Sequence, residues 1–286
     1  MKKILVLGAS GLLGIPLANY FSALGYNVIR HGHKSKADIQ ADLQSLSEVE
    51  EIVKNARPEI IINLVALTDV DRCEEDPNLA YCINVKPLEN LMVALRQRNE
   101  VKVIHISTDH VYDGAGIHKE NDITIRNTYS FSKYCAEHVA LRTSGCVLRT
   151  NFVGKSEVVG RLSFSDWILN NAKEQKPIKL FTDVFFSPLS ISTLTRMIKL
   201  VAENHQTGVF NLGSHEGMSK CDFAKQLASN LNLNLNTATP VLSSEYSFKA
   251  RRPTDMRMDC SLFENTFGVK LPTLTEEIKL LGRDYA

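Results

Sequence analysis

Short apolar runs alternate with longer mixed stretches through the first half of the chain. Runs of this length without polar alternation are typical of strands that are buried on both faces of a parallel sheet. The predicted strands are Lys3–Leu7, Asn27–His31, Ile60–Leu64, Lys102–Ser107 and Cys146–Arg149. The predicted helices between them cover about Gly11–Leu24, Leu46–Asn55, Pro77–Arg98 and Thr128–Thr143. Because strand and helix alternate, the pattern predicts an α/β fold with a doubly wound parallel sheet.

The second half of the chain has a less regular pattern. Helices are predicted at Leu162–Lys173, Ile191–Glu203, Ser219–Leu231 and Leu274–Leu281, a loop at Phe181–Pro188, and a strand that returns to the sheet at Thr207–Gly213. We therefore expect a first domain over residues 1–150, with returning segments at about 182–213. Residues 151–181 and 214–286 are expected to form a smaller, discontinuous C-terminal lobe.

The composition excludes several classes of function. A formal net charge of +1 gives no bulk attraction to nucleic acid or to a membrane surface. No apolar run approaches the roughly 20 residues that cross a bilayer, and Lys2-Lys3 leads into a strand rather than a signal peptide. The six cysteines form no CxxC pair, and no histidine cluster has zinc-site spacing. We expect a cytoplasmic protein with reduced thiols and without nucleic-acid or membrane partners. No metal-ligand residues are predicted, and whether Mg²⁺ assists is left open.

A glycine-rich loop follows the first predicted strand. Gly8–Gly14 has the spacing GxxGxxG between a strand and a helix, which is the context that a dinucleotide-binding loop requires. Glycine allows the backbone to approach a pyrophosphate closely, and the N–H groups of the next helix accept the negative charge. Pro16 removes one early helical hydrogen bond, so we expect a slight distortion of that helix. The predicted cofactor-binding residues of this loop are Gly8, Ser10, Gly11, Leu12, Leu13 and Gly14.

A tyrosine and a lysine stand four residues apart in the fourth predicted helix. Tyr129 and Lys133 therefore share one face, where the ammonium favours the phenolate and makes the phenol a stronger acid. Thr108 follows the fourth predicted strand and would hold a substrate carbonyl beside that phenol. Alternation along the strand puts Ser107 on the opposite face, so only one of the two hydroxyls serves the site. These residues suit a proton transfer that accompanies a hydride transfer.

Candidate residues collect at the ends of the predicted strands. In a doubly wound sheet, ligands bind outside the carboxyl ends of the strands. Four of these ends carry candidates, namely Gly8, Ala66-Leu67-Thr68, Thr108 and Thr150-Asn151. Agreement among four strand ends is better evidence for a ligand site than any one motif.

The end of the second predicted strand bears on the choice of cofactor. Proteins that use NAD usually place an Asp or Glu there for the ribose hydroxyls, whereas this chain has Arg30 and Lys34 in that region and no acid. The two cations suit a 2′-phosphate, or they belong to a solvated basic loop. We predict NADPH as the cofactor, with NADH left open.

With these residues the chain resembles the extended short-chain dehydrogenase/reductases, and within them the dTDP-4-dehydrorhamnose reductases, a family of sugar-nucleotide 4-keto reductases. The resemblance runs nearly from end to end. It rests on Gly8–Gly14, Asn63–Asp71, Ile106–Gly114, the Tyr129/Lys133 pair, Leu148–Val153, Ser187-Pro188, Gly208–Gly213 and Arg252-Pro253. It implies a Rossmann-type domain that binds NADP(H) over residues 1–150, and a substrate-binding lobe. The implied reaction is reduction of a nucleotide-linked 4-keto-6-deoxy sugar in deoxysugar and polysaccharide biosynthesis.

The resemblance also implies roles for further residues. Those implied to contact the cofactor are Asp42, Leu43, Ala66, Leu67, Thr68, Asn84, Tyr129 and Lys133. Those implied to contact the substrate are Asp109, His110, Asn151 and Phe152. Asn84 alternatively bonds backbone inside the fold, and Asp109 alternatively caps a turn. The family usually has tyrosine where this chain has His110 and often tryptophan where it has Phe152, which leaves the exact sugar open.

Two arginines near the end of the chain are candidates for the nucleotide diphosphate. Arg252 and Arg257 are suited to phosphate because the guanidinium is planar and always charged. The alternative is that Arg251-Arg252-Pro253 forms a solvated turn.

Other functions on the same scaffold stay open. A dehydratase typically carries Asp-Glu after the threonine, whereas Asp109-His110 follows Thr108 here. An epimerase usually retains NAD, which the basic end of the second strand disfavours. A non-catalytic NADP-binding regulatory subunit is the third alternative, and the intact Tyr129/Lys133 pair argues against it. The family often forms homodimers, so a homodimer is expected, although the sequence shows no interface pattern.

Overall fold

The computed structural model describes residues 2–35 and 37–285 and divides into two compact units. One unit consists of Met1–Thr108, Arg126–Arg149 and Thr195–Phe210, and the other of Asp109–Ile125, Thr150–Leu194 and Asn211–Ala286. Residues 109–125 thus group with the second unit, although they precede residue 150. The assignment of cofactor binding to one unit and of substrate binding to the other stays a prediction.

The first unit is built around a seven-stranded sheet. Numbered in chain order, its strands are β1 (Lys3–Leu7), β2 (Asn27–Gly32), β3 (Ile39–Gln40), β4 (Ile60–Asn63), β5 (Lys102–Thr108), β6 (Cys146–Thr150) and β11 (Gly208–Leu212). Their order across the sheet is β11-β6-β5-β4-β1-β2-β3, and β1–β2, β1–β4, β2–β3 and β4–β5 pair in parallel. The predicted Rossmann-type sheet is confirmed. The order reverses between β1 and β4, which is where open α/β sheets bind their ligands.

The helices of this unit are α1 (Gly14–Ala23), α2 (Leu46–Ala56), α3 (Val70–Glu75), α4 (Pro77–Asn84), α5 (Lys86–Ala94), α6 (Thr128–Leu141) and most of α8 (Ile191–Glu203). Four of them, α2, α3, α4 and α6, begin at side chains that satisfy their free N–H groups. Ser45 caps α2, and Asp76 caps α4. Asn127 and Ser130 bond each other reciprocally at the start of α6. This capping box fixes the turn of α6 that carries Tyr129.

Two prolines account for differences from the predicted helices. α1 begins at Gly14 rather than Gly11, so Pro16 lies in its first turn. The N–H groups of Ile15 and Leu17 donate to Gly11 and Leu13, and Pro16 between them has no N–H to donate. The slight distortion expected at Pro16 stays a prediction. The single helix predicted over Pro77–Arg98 is the pair α4 and α5, because Pro87 has no N–H to continue the ladder. The short helix α3 was not predicted.

The core of the first unit lies between the sheet and its helices. Leu5, Ile61 and Val103 from neighbouring strands form one buried cluster with Leu88 of α5 and Ala136 of α6. Burial of each large aliphatic side chain contributes roughly 1.5–3 kcal/mol relative to exposure. The apolar runs that predicted the strands therefore also explain why α5 and α6 pack where they do.

The second unit is built from short strand pairs and helices. Its strands are β7 (Phe152–Val153), β8 (Ile178–Phe181), β9 (Phe185–Phe186), β10 (Leu189–Ser190), β12 (Met218–Ser219) and β13 (Ala238–Val241). Its helices are α7 (Phe164–Glu174), α9 (Lys220–Asn230), α10 (Ser261–Phe267) and α11 (Leu274–Tyr285). The segment predicted as a loop at Phe181–Pro188 contains β9, which pairs antiparallel with β12 far along the chain. Strands this short depend on distant partners, so the local pattern did not predict them.

Three further observations concern the part of the chain that the structure describes. No helix there has both the length and the apolar character needed to cross a membrane. No group of three or more His, Cys, Asp or Glu side chains among these residues is arranged to hold a metal ion. All six cysteines are free thiols.

Candidate active site

The glycines after β1 occupy positions where a side chain does not fit. Gly8 has a φ of +79°, and a Cβ there would lie 3.2 Å from the Val65 side chain after β4. A Cβ on Gly14 would collide with the Gly8 carbonyl oxygen. The N–H of Ala9 donates to the His31 carbonyl over 2.9 Å, which holds the loop to the end of β2. The loop backbone thus lies at the β1/β4 switch point without bulky side chains, as close approach of a pyrophosphate requires.

The other residues predicted for this loop lie around the start of α1. Ser10, Gly11 and Leu12 are partly exposed, and Leu13 is buried. Leu13 is also the residue before α1, and among the described residues no side chain caps that helix. Its first N–H groups are consistent with the predicted acceptance of a phosphate charge.

The residues predicted around the adenosine half of the cofactor have protein partners. The Arg30 guanidinium lies 3.1 Å from Ser22 Oγ and 3.4 Å from Asn19 Oδ1, both on α1. The Asp42 carboxylate accepts a backbone N–H from the next turn over 2.9 Å. The Leu43 side chain is buried in the core. The predicted contacts of Arg30, Asp42 and Leu43 with the cofactor stay predictions.

His31 presents a buried acceptor at the end of β2. Its Nε2 lies 3.1 Å from the Ala41 carbonyl oxygen, so Nε2 carries the ring proton. Nδ1 is then an acceptor, and among the described residues it has no hydrogen-bond partner. Burial lowers the pKa of His31, which keeps the ring neutral. A donor group of a ligand would satisfy this nitrogen beside the glycine loop.

Asn84 ties the loop after β4 to α6. Its Oδ1 accepts the Leu67 N–H over 2.7 Å, while its Nδ2 donates to the Leu67 carbonyl at 3.3 Å and to Ser132 Oγ at 2.8 Å. Both amide hydrogens are therefore used inside the protein. These contacts support the alternative that Asn84 forms hydrogen bonds to the backbone and positions the loop. In that loop Ala66 is partly exposed and Thr68 is exposed.

Tyr129 and Lys133 lie one turn apart near the start of α6, and both are buried. Lys133 Nζ donates to the Ile106 carbonyl oxygen over 2.7 Å, which fixes the amine against β5. Burial lowers the pKa of Lys133 from its usual range to about 8, while Glu137 one turn later opposes that shift. A lysine with this pKa changes charge near neutral pH, and its charge controls the acidity of a neighbouring phenol.

His105 contacts Lys133, although the sequence analysis left it out of the site. Its Nε2 lies 3.3 Å from Lys133 Nζ, and its Nδ1 lies 3.2 Å from Asn63 Nδ2. Burial lowers the pKa of His105 well below its usual value, and the Lys133 charge acts in the same direction. Strand alternation places His105 on the same face as Ser107. The partners come from β4 and α6, however, and no local pattern predicts them.

The two hydroxyls at the end of β5 have different surroundings. Ser107 Oγ donates to Glu137 Oε1 over 2.5 Å, and Glu137 forms a buried ion pair with Arg149 at 2.6 Å. The Ser107 hydroxyl is therefore committed to this pair. Thr108, at the last position of β5, is buried as well. The contacts of Ser107 support the choice of Thr108 as the hydroxyl for a substrate carbonyl.

Four predicted substrate residues lie in the second unit. Asp109 begins a single 3₁₀ turn over Asp109–Val111 and is buried. Asn151 Nδ2 donates to Asp109 Oδ2 over 2.8 Å, so these two residues are brought together. Phe152 starts β7 and is partly exposed. His110 is partly exposed as a whole residue, but its ring nitrogen Nδ1 is buried.

Lys220 is a candidate that the sequence analysis missed. It lies at the start of α9. The pKa of Lys220 is lowered, mainly by burial; the negative charge of Asp109 opposes this shift, and the positive charge of Arg252 adds to it. The pKa of His110 is lowered to about 3, mainly by burial and further by the positive charges of Lys220 and Arg252. His110 is therefore neutral. Lys220 thus lies within electrostatic reach of Asp109, Arg252 and His110. Nothing in the local sequence distinguishes Lys220 from the other lysines of the chain.

The two arginines predicted for a diphosphate differ in their partners. Arg257 forms a bidentate pair with Asp255 at 2.9 and 2.6 Å, which raises the pKa of Arg257 and neutralises its charge. Arg252 lies 5.0 Å above the centre of the Phe248 ring. The ion pair of Arg257 makes it the weaker candidate for an anionic ligand, and the role of Arg252 stays a prediction.

Comparison with known proteins agrees with these features. The whole chain, residues 1–286, matches the family model described as the RmlD substrate binding domain. The dTDP-4-dehydrorhamnose reductase of Escherichia coli strain K12 is 30% identical over 94% of this chain and 93% of its own. A probable low-salt glycan biosynthesis reductase of Haloferax volcanii is 25% identical over 96% of each chain.

A solved structure gives the same result. The dTDP-4-dehydrorhamnose reductase of Bacillus anthracis, in complex with NADP, matches with a TM-score of 0.89 at 26% identity, covering 98% of this chain and 99% of that one. The predicted resemblance to dTDP-4-dehydrorhamnose reductases is confirmed. The chain belongs to the RmlD substrate binding domain family.

Proposed function

We propose that this protein is an oxidoreductase that uses NADPH to reduce the C4 carbonyl of a nucleotide-linked 4-keto-6-deoxy sugar in deoxysugar biosynthesis. The observation that carries the proposal is the buried amine of Lys133, which is fixed to the Ile106 carbonyl one turn from Tyr129. This is the arrangement that a phenol needs to act as a general acid near neutral pH. The family and its named reductases support the substrate class.

The first unit fits a dinucleotide. A Cβ at Gly8 or Gly14 would press on protein atoms, so the loop keeps a bare backbone, and the buried Nδ1 of His31 lacks a partner among the described residues. NADPH, when bound, supplies the hydride. Arg30 and Lys34 are the proposed holders of its 2′-phosphate, and the NADP in the Bacillus anthracis relative supports NADPH over NADH. In this proposal the loop at Ala66–Thr68 lies along the pyrophosphate and ribose, held in place by Asn84.

Three side chains handle the proton and the charge. Tyr129 gives its phenolic proton to the alkoxide oxygen that forms at C4. Thr108 Oγ donates a hydrogen bond to the same oxygen and stabilises its charge. Lys133 sets the acidity of Tyr129 and contacts the nicotinamide ribose. The protein thus orients the carbonyl and delivers the proton to the oxygen on which the negative charge develops.

The second unit supplies groups for the nucleotide sugar. Arg252 and Lys220 bring positive charge for the diphosphate. The hydrogen-bonded pair Asp109–Asn151 offers polar atoms for sugar hydroxyls. His110 is neutral and Phe152 is partly exposed, so both suit contacts with the sugar ring rather than with its phosphates.

The deciding experiment follows NADPH oxidation by the purified protein, with a dTDP-4-keto-6-deoxy-L-sugar made in situ. We expect rapid oxidation, at least about tenfold tighter binding of NADPH than of NADH, and a product reduced at C4. No oxidation with this substrate or with GDP-, UDP- and CDP-linked keto sugars would contradict the proposal. Protein that purifies with stoichiometric bound NAD would favour an epimerase instead.

We also propose a cytoplasmic location and a homodimer. The six free thiols support a reducing compartment. The homodimer stays a prediction from the family, and light scattering on the purified protein tests it. A monomer at micromolar concentration would contradict it.

A further inference from the structure

Asp113 joins two segments of the second unit that are far apart in the chain. Its Oδ1 atom accepts hydrogen bonds from the Thr254 backbone N–H at 2.8 Å and from the Thr254 hydroxyl at 3.0 Å. The two residues are separated by 141 positions, and Asp113 is buried. A carboxylate oxygen has lone pairs for two donors. One oxygen of Asp113 therefore holds both the main chain and the side chain of Thr254.

The turn before Asp113 carries two predicted sugar contacts. Asp109 and His110 lie in the 3₁₀ turn that ends two residues before Asp113. Tyr112, between that turn and Asp113, is fully buried, and its hydroxyl donates to Asn211 Oδ1 over 2.6 Å. The backbone of Asp113 therefore has a fixed position relative to the turn.

The segment that leads from Arg252 to Thr254 is also restricted. Pro253 stands between them and is buried, and the proline ring fixes its φ near −65°. The Thr254 carbonyl accepts the Phe185 N–H over 2.7 Å, so the main chain of Thr254 is held on both sides. Only the backbone of Pro253 separates this anchored residue from Arg252.

Further contacts run in register with the one between Asp113 and Thr254. The Gly116 N–H donates to Asp255 Oδ2 over 3.0 Å, and the His118 N–H donates to the Arg257 carbonyl over 2.9 Å. The segment from residue 113 to 118 thus follows the segment from residue 254 to 257. Thr254 stands at the end of this series that is nearest to the arginine predicted to bind the diphosphate.

We propose that Asp113 is a positioning residue for the nucleotide sugar, which sets the separation between Arg252 at the diphosphate and the turn with Asp109 and His110 at the sugar. This inference deepens the proposed function and rests on it. Arg252 lies within electrostatic reach of the His110 ring, so the two ends of the site are close together. The sugar and the diphosphate of the substrate are joined covalently. The groups that bind them must therefore keep a fixed separation.

A positioning role predicts which kinetic constants change. Tyr129, Thr108 and Lys133, which are proposed to handle the proton and the charge, belong to the first unit. Loss of the Asp113 carboxylate should therefore raise the KM for the nucleotide sugar and the Kd for a nucleoside diphosphate, with a much smaller effect on kcat. The Kd for NADPH should stay the same.

Isothermal titration calorimetry measures the Kd of the nucleotide part alone. The probe is whichever of dTDP, GDP, UDP and CDP the wild-type protein binds most tightly. Asp113→Ala removes the acceptor of Thr254 and should raise this Kd about tenfold, because a charged hydrogen bond to phosphate is misplaced. Asp113→Asn keeps an oxygen in the place of Oδ1 and should stay within about threefold of the wild type.

The same segment offers a matched control for the loss of a carboxylate. Asp122 is exposed and accepts the Lys119 N–H over 2.7 Å. Asp122→Ala should leave the Kd for the nucleoside diphosphate and the KM unchanged.

A double-mutant cycle decides whether the effect of Asp113 passes through Arg252. Residues that act as one unit give effects that are not additive. In Arg252→Met, which lacks the guanidinium, the further change Asp113→Ala should leave the Kd for the nucleoside diphosphate where it is. Additive losses in the double variant would show that Asp113 acts on binding by another route, and they would overturn the proposal.

Amide hydrogen exchange tests the contact itself without a ligand. The Thr254 N–H should exchange at least about tenfold faster in Asp113→Ala than in the wild type and should stay protected in Asp113→Asn. Thermal melts establish that the variants are folded. If Asp113→Ala is not, Thr254→Val takes its place, removes only the hydroxyl donor and should raise the Kd about threefold.

The outcomes separate this inference from the proposed function. A wild-type protein that binds none of the four nucleoside diphosphates would contradict both. Binding by the wild type with the same Kd in folded Asp113→Ala would overturn the positioning role of Asp113 and leave the proposed reduction standing.

Discussion

Asn84 donates a hydrogen bond to the Ser132 hydroxyl over 2.8 Å while it holds both backbone groups of Leu67. The Ser132 hydroxyl in turn donates to the Tyr129 carbonyl over 2.8 Å. The loop after β4 and the first turns of α6 are thus joined by one buried amide. This side chain therefore links the position of the proposed cofactor loop to the turn of α6 that carries the proposed general acid.

Asn84→Ala should therefore impair cofactor binding and turnover together. Loss of buried hydrogen bonds costs about 1–3 kcal/mol, so we expect the NADPH Kd to rise and kcat to fall by about tenfold each. Asn78→Ala, at an exposed position of α4, is the matched control and should change neither value. A change in stability alone, with normal Kd and kcat, would show that Asn84 only supports the fold.

Tyr129→Phe removes the proposed acid but keeps the ring. General acid catalysis contributes about 10²–10⁴-fold, so kcat should fall by that factor while the NADPH Kd changes little. Tyr134→Phe is the control on the same helix, where the ring packs edge-on against His138 at 4.6 Å. Steady-state kinetics and fluorescence titration separate the two effects. Unchanged turnover in Tyr129→Phe would remove Tyr129 from the mechanism.

The neighbouring hydroxyls of β5 should separate catalysis from stability. Thr108→Val deletes one donor to the developing oxyanion and should lower kcat about 10²–10³-fold, whereas Thr108→Ser should keep most of the activity. Ser107→Ala leaves the Glu137–Arg149 pair without its hydroxyl donor. It should lower the free energy of unfolding by about 1.5–3 kcal/mol with little change in kcat. The reverse result would exchange the roles of the two residues.

The pKa of Lys133 predicts a dependence of stability on pH. The folded protein releases this proton at about pH 8, while an unfolded lysine holds it to about 10.5, so the unfolded state binds more protons in that window. The stability from this group therefore rises with pH between those values. Relative to Lys133→Met, the wild-type free energy of unfolding should rise by roughly 3 kcal/mol across the window. Urea denaturation at several pH values measures this, and a falling difference would mean that the fold favours the ammonium.

Lys220→Met should weaken binding of the nucleotide sugar. A charged hydrogen bond to phosphate is worth about 1.5–3 kcal/mol, so KM should rise about 10–100-fold while the NADPH Kd is unchanged. Lys225→Met, at an exposed position of the same helix, is the control. Equal KM values for Lys220→Met and wild type would remove Lys220 from the substrate site.

Features encoded locally could be read from the sequence, and those set by distant partners could not. The loop Gly8–Gly14 and the pair Tyr129/Lys133 are recognised from residues a few positions apart in the sequence. The apolar runs in the same way predict the strands of a buried sheet. The contacts of His105 come from strands and helices that meet only in the fold, and Lys220 is distant in the chain from Asp109. For the same reason the pattern failed to predict β9, whose partner is β12.

Adjacent residues of strand β5 make different contacts with α6. His105 reaches Lys133, the Ile106 carbonyl accepts from Lys133, and Ser107 supports Glu137. Since a strand reverses its face at every residue, an insertion or deletion of one residue there would turn these side chains away from α6. Evolution can therefore alter β5 only by replacement, whereas surface loops tolerate changes in length. The hydrogen bonds that hold Lys133 and Glu137 against β5 therefore depend on the exact length of this strand.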